Sequence, residues 1–153
     1  MQIHGFNKTT LLDYPKHLAA TIFLGCCNFR CPFCHNSSLV LSTDTQPSLT
    51  VSEVLDTLKS RSSILEGVCI TGGEPTLSKD LPEFIQIIKN IGLKVKLDTN
   101  GSNPLMLQYL LSQQLLDYIA MDIKNSRVRY IETIGVPGYS LDAIDASISL
   151  IQN

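Results

Sequence analysis

The sequence has no second Cys-x-x-Cys pair, no excess of basic residues and no apolar run near the roughly 20 residues that a membrane-spanning helix needs. Each absence removes a class of protein. Without a second thiol pair, a four-cysteine zinc or cluster site lacks its usual closing ligand. Without the long apolar run, no helical membrane span is expected. With 12 Lys and Arg against 14 Asp and Glu, a net charge of -2 offers no electrostatic footprint for nucleic acid. The N-terminus, broken early by Asp13 and Pro15, does not read as a signal peptide. Five cysteines without export signals point to the cytoplasm, where thiols bind metal more readily than they form disulfides. His4, His17 and His35 show no spacing to a base or nucleophile, so a hydrolytic arrangement has little support.

What is present is an ordinary globular composition, 44% hydrophobic and 17% charged over 153 residues, enough for one domain and one core. No internal repeat or low-complexity segment interrupts it. The outstanding stretch is Cys27-Asn28-Phe29-Arg30-Cys31-Pro32-Phe33-Cys34, three thiols within eight residues, preceded by the strand-like Ala19 to Leu24 and followed by His35-Asn36. Soft thiolates select zinc, cuprous copper or iron-sulfur clusters. A cluster held by only three cysteines keeps one iron open, and an open position is where a small molecule can bind and be reduced. A structural zinc site that borrows His35 is the main competitor, although closure by a neighbour of Cys34 is strained.

In chain order, strands and helices alternate. A polar link, Ser42 to Ser48, leads to Thr50-Val51-Ser52-Glu53, a capping-box spacing that predicts a helix to about Arg61 with Val54, Leu55 and Leu58 on one stripe. Val68 to Thr71 reads as a strand ending at Gly72-Gly73. A second helix is expected from near Asp80, with Pro82 in its first turn and Phe84, Ile85, Ile87 and Ile88 inward, stopping at Gly92. Lys94 to Leu97 is a third strand, Asn103-Pro104 opens a helix through Leu111, and Tyr118 to Met121 is a fourth strand. Arg127 to Ile134 and Leu141 to Ile151, the latter capped by Ser140, read as two last helices. This alternation predicts an α/β fold with about four parallel strands. Ligands of such sheets bind at the carboxyl ends of the strands, where the cysteine loop, Gly72 to Pro75, Asp98 to Gly101 and Asp122 to Lys124 all fall.

Each of these stretches also has a plain structural reading. Glycines after a strand often only make a turn. Functionally, Gly72 and Gly73 would let the backbone approach a ligand, while Glu74 offers an acceptor to an ammonium group. Asp98 and Asp122 are candidates to share a cation or ribose hydroxyls, though acids at strand ends also cap helices. Cys69, inside an apolar strand, reads as a core residue.

The Cys27-x-x-x-Cys31-x-Phe33-Cys34 pattern resembles the signature of radical S-adenosylmethionine (SAM) enzymes. Leu12-Asp13-Tyr14-Pro15, Cys27 to Asn36, Thr71-Gly72-Gly73-Glu74-Pro75, Leu97-Asp98-Thr99-Asn100-Gly101 and Met121-Asp122-Ile123-Lys124 resemble the branch that activates glycyl-radical proteins. Within it, the activating proteins of anaerobic ribonucleoside-triphosphate reductase are the nearest in pattern. The resemblance implies a single radical SAM domain, a partial (β/α) barrel whose further strands would follow Asn153, leaving the fourth strand as an exposed edge. It implies a [4Fe-4S] cluster on Cys27, Cys31 and Cys34, which serve as metal ligands and catalytic residues. It also implies SAM contacts from Phe33, Cys34, His35, Gly72, Gly73, Glu74, Asp98, Asn100, Asp122, Ile123 and Lys124, with a monovalent cation held by the acids. Family members usually have a small residue at the position of Cys26, so that thiol could replace Cys27 or act as a fourth ligand. The implied reaction is reductive cleavage of SAM to methionine and a 5'-deoxyadenosyl radical, which takes hydrogen from a glycine of a partner. That partner would be an anaerobic ribonucleotide reductase, and a flavodoxin or ferredoxin would donate the electron. A radical SAM reaction on a small molecule such as a deazapurine precursor, or a non-catalytic iron-sulfur protein, remain the other readings.

Overall fold

Thr50 starts a helix by local chemistry alone. Its hydroxyl accepts from the Glu53 backbone N–H at 3.2 Å, and the Glu53 carboxylate accepts in return from the Thr50 N–H at 2.8 Å. Comparable signals, Pro82 and Pro104 in the first turns and Asn103 accepting from Met106 N, open the next two long helices. Thr50→Ala is expected to lower the stability of the fold by about 1 kcal/mol. Equilibrium urea unfolding would show it, and an unchanged midpoint would mean that packing alone sets this helix start.

The computed structural model describes residues 1–41 and 45–152. The first three residues of the expected link, Ser42 to Asp44, lie outside the described residues, as does Asn153. The strands are β1 (Ile3–Thr10), β2 (Ala19–Leu24), β3 (Gly67–Gly72), β4 (Lys94–Thr99) and β5 (Tyr118–Met121). The helices are α1 (Ser37–Leu41), α2 (Val51–Arg61), α3 (Leu81–Asn90), α4 (Pro104–Ser112), α5 (Arg127–Ile134) and α6 (Asp142–Gln152), with a 3₁₀ turn at Pro75–Leu77. Among the described residues no helix is long and apolar enough to cross a membrane.

The sheet runs in the order β1-β2-β3-β4-β5 and stays open. Strands β2 to β5 are parallel, as the alternation predicts, and β5 is an edge. The fifth strand, β1, is antiparallel to β2 and had no signal in the sequence. Its residues Ile-His-Gly-Phe-Asn-Lys-Thr-Thr lack apolar alternation because, as an edge, it buries only Ile3 and Thr10 fully.

Successive strand residues face opposite sides, and the two faces of this sheet differ in kind. On one, Ile22, Leu24, Val68, Ile70, Val95 and Leu97 pack against Leu58 of α2, Phe84, Ile85 and Ile88 of α3, and Leu107 and Leu110 of α4. Each such side chain contributes about 1.5–3 kcal/mol on burial. Ile87 does not join them and is 40% exposed, contrary to expectation. At 100° per residue it lies beyond the stripe centred between Phe84 and Ile85, which Leu81 and Ile88 complete.

The other face carries a polar row, Thr21, Cys69, Lys96 and Tyr118, aligned by strand register. Cys69 is buried as expected, but in this polar row rather than in the apolar core. The β1–β2 connection closes the end of the sheet remote from the strand carboxyl ends. Tyr14 meets His17 edge-on there and Tyr118 at a tilt, its ring so close to Gly67 that an added Cβ would meet it at 2.8 Å. Asp13 accepts from the Thr21 hydroxyl. The Leu12 to Pro15 stretch therefore has a structural task at the end opposite the cysteine loop.

Candidate active site

The chain leaves β2 at Leu24 and turns sharply. Cys26 has a left-handed backbone (φ 65°), its N–H donates to Leu39 O at 3.0 Å, and its carbonyl accepts from Glu74 N at 2.8 Å. That turn lies against the Gly72-Gly73 corner. A Cβ on Gly73 would stand 1.9 Å from the Cys26 oxygen, and one on Gly72 (φ 113°) 2.4 Å from the Leu24 oxygen. The two glycines thus accommodate the cysteine loop's own backbone, a task the sequence had reserved for a ligand.

The loop is braced from two sides. Asn36 Nδ2 donates to Gly72 O at 3.0 Å, and Arg30 N donates to Ile134 O of α5 at 2.7 Å. Phe29 is buried with Tyr130, Ile134 and Ile144, and its ring meets Tyr139 edge-on at 5.1 Å. Helices α5 and α6 accordingly form a second small core under the cysteines.

Cys27, Cys31 and Cys34 line one cavity of about 390 Å³, within the roughly 300–1,000 Å³ usual for small-molecule sites. Phe33 and His35 join from the same loop, Gly72 and Gly73 from the end of β3, Asp98 and Asn100 from β4, and Asp122 and Lys124 from β5. Four strand ends meet there, the convergence the sequence implied. Thr71, Thr99, Asn36 and Val40 line it too, without having been singled out as ligands. The first three lie inside or beside the quoted motifs, whereas Val40 carries no local signal.

Two expected contacts do not reach the cavity. Ile123 points to solvent, 56% exposed. Glu74 is 1% exposed, and its carboxylate accepts from Thr76 N at 3.1 Å, Thr76 Oγ1 at 2.5 Å, Thr99 Oγ1 at 2.8 Å and Asn100 N at 2.6 Å. Three of these donors share Oε1 and one takes Oε2, and the buried carboxylate is not among the groups that line the cavity. Burial pushes its pKa up, and those hydrogen bonds pull the other way.

The donor set fits a cluster held by three thiolates. Cys27 Sγ accepts from Phe29 N at 3.4 Å and faces Asn100 Nδ2 at 3.7 Å, donors of the kind that tune cluster sulfurs. Cys26 is exposed beside Gln2 Oε1, off the cavity, and Cys69 donates to Asp98, so neither extends the set. Burial raises the Cys27 and Cys31 thiol pKa values, with Lys124 countering it at Cys31, so metal uptake here must release protons. Among the described residues no three His, Cys, Asp or Glu side chains are arranged to hold a single metal ion.

The expected monovalent cation does not fit. The Asp98 carboxylate accepts from Lys96 Nζ, and Asp122 from Lys124 Nζ at 2.7 Å. Burial works to lower the pKa of each lysine, but its carboxylate partner prevails and raises it, so both stay charged.

Comparison with known proteins agrees with this geometry. The Radical SAM superfamily pattern matches residues 21–153. A Methanocaldococcus jannaschii protein provisionally named a glycyl-radical enzyme activating enzyme is 36% identical over 86% of this chain and 54% of its own length. A GTP 3',8-cyclase of Alkaliphilus oremlandii is 38% identical over 49% of this chain and 24% of its own. The chain thus spans about half or less of the length of these relatives. The crystal structure of QueE from Escherichia coli superposes with a TM-score of 0.56 over 99% of this chain and 88% of that one, at 18% identity, a likeness of fold.

Proposed function

The chain belongs to the radical SAM superfamily, a family of enzymes, and from that premise we propose that it activates a glycyl-radical protein by generating a 5'-deoxyadenosyl radical from SAM. Membership implies a [4Fe-4S] cluster and SAM. The observation that carries the residue assignment is the single cavity bounded by three thiols and four strand ends. Cys27, Cys31 and Cys34 would hold the cluster, which when bound supplies the electron that cleaves the sulfonium of SAM to methionine and the radical. This chain's other residues bind, orient and exclude water. Phe33 and His35 would cover the ligand from the cysteine loop, and the Gly72-Gly73 backbone would offer polar groups from β3. Asp98, Asn100, Asp122 and Lys124 would contact the polar parts of SAM. Glu74 acts one step removed, by holding Asn100 N and Thr99 Oγ1 in place.

A protein substrate is favoured by the 36% identity that runs along 86% of the chain with the provisionally named activating enzyme, together with the motifs of that branch. Glycine suits the reaction, since no side chain blocks approach to its backbone carbon. We assign the partner as an anaerobic ribonucleotide reductase and the electron donor as a flavodoxin or ferredoxin. The free state of all five cysteines is in keeping with a cytoplasmic, reducing setting. The GTP 3',8-cyclase match supports the competing reading, a nucleotide-derived small molecule as substrate.

The test is anaerobic incubation of reduced, reconstituted protein with SAM and the reductase, followed by electron paramagnetic resonance. A glycyl-radical doublet is expected. SAM cleavage with no such signal, together with turnover of a purine nucleotide, would transfer the assignment to the competing reading.

A further inference from the structure

Lys96 is a charged side chain in an unusual place. It projects from the middle of β4 with only 9% of its side chain exposed, between its register partners Cys69 and Tyr118. Its ammonium has two partners, Asp98 Oδ1 and Cys69 Sγ at 3.6 Å. Cys69 cannot balance the charge, because burial first and Asp98 second push its thiol up to about 12. The carboxylate of Asp98 is therefore the counter-ion, two residues along the same face of the same strand. Asp98 also lines the ligand cavity, so the pair connects the sheet interior to the proposed SAM site.

The second pair is different. Asp122 has 72% of its side chain exposed, and its bond to Lys124 is solvent-screened and weak. Across both strand ends, two carboxylates face two ammonium groups of this chain. No net negative charge is left there to draw K⁺ or Na⁺ out of its hydration shell.

We infer that Lys96 is a positioning residue whose buried ammonium supplies, from within β4, the positive charge that Asp98 would otherwise take from a monovalent cation. Ligand binding at this rim is then indifferent to K⁺ and Na⁺. The inference rests on the SAM site proposed above, yet the two fail separately, because affinity and its salt dependence are distinct readouts.

The experiment is equilibrium binding of radiolabelled SAM to the anaerobically reconstituted protein in KCl, NaCl or choline chloride at one ionic strength. Wild-type affinity should agree within about twofold across the salts, while Lys96→Met should bind on the order of tenfold more weakly in choline chloride and recover in KCl. Lys96→Arg, which keeps the charge, should remain indifferent. Melting temperatures without SAM give a second readout: KCl should stabilise Lys96→Met and leave the wild type unmoved. Wild-type affinity that collapses in choline chloride would overturn the inference, as would a Lys96→Met protein that matches wild type in every salt. If Lys96→Met does not fold, the wild-type salt series decides alone. If the wild type binds no SAM in any salt, the proposed site fails. The inference is then judged by ²³Na relaxation, where excess broadening by the wild-type protein overturns it and none upholds it.

Discussion

Serine at Cys27, Cys31 or Cys34 is expected to bring iron content from about four per chain to background and to abolish reductive cleavage of SAM. The loss should exceed the roughly 10- to 100-fold that altering an outer-shell partner causes, because a ligand itself is removed. Serine at Cys26 or Cys69 is expected to leave iron and sulfide unchanged. The contrast is what makes the experiment specific, since Cys26 and Cys27 are adjacent in sequence. Cys26 occupies the left-handed turn and lies beside Gln2, whereas Cys27 faces the cavity and accepts from Phe29 N. Cys69 lies under Asp98 in the polar row. Iron and sulfide analysis of anaerobically reconstituted variants would check all five positions. Loss of iron in Cys26→Ser, or about one zinc per chain without sulfide, would break the assignment.

Glu74→Ala is expected to lower stability by about 3–5 kcal/mol, since it orphans buried donors at roughly 1–3 kcal/mol each. Among the described residues Asn100 N and Thr76 N donate to this carboxylate alone, and the Thr76 and Thr99 hydroxyls lose an acceptor. For a chain of this size, about 2–4 °C per kcal/mol gives a fall in melting temperature of roughly 10 °C. Glu74→Gln should cost less, because one oxygen is kept, but its amide N–H₂ would face a donor where a carboxylate oxygen stood. Thermal and urea unfolding measure both. Glu74→Ala that melts like the wild type and only binds SAM more weakly would return the residue to direct ligand contact.

The Glu74 result also marks how legible the site was. Its place in Gly72-Gly73-Glu74-Pro75 after a strand was readable, and so was the rim on which the stretch falls. That its carboxylate is consumed by Thr76, Thr99 and Asn100 was not, because two of those partners come from β4 and its loop, 25 and 26 residues away. The same holds for Asp98, whose contact with Cys69, 29 residues away, depends on strand register. A motif names the residue type at a strand end, whereas the partners of its side chain are set by what the neighbouring strand presents.

Features that close within a few residues were determined by the sequence itself. The capping box at Thr50, the prolines opening α3 and α4, the apolar periods of the helices and the spacing of the three cysteines each act within a turn or two of chain. So does the alternation of strand and helix that sends four loops to one rim. Only the tertiary structure decided between Cys26 and Cys27, placed β1 as an antiparallel edge, turned Tyr14 into a plug over Gly67, and brought Thr99 and Asn100 onto the buried Glu74 carboxylate. The reason is distance along the chain. Local hydrogen bonds and periodicity are written in consecutive residues, but a buried carboxylate finds its donors, and a glycine its crowded neighbour, only after separate strands have come into register.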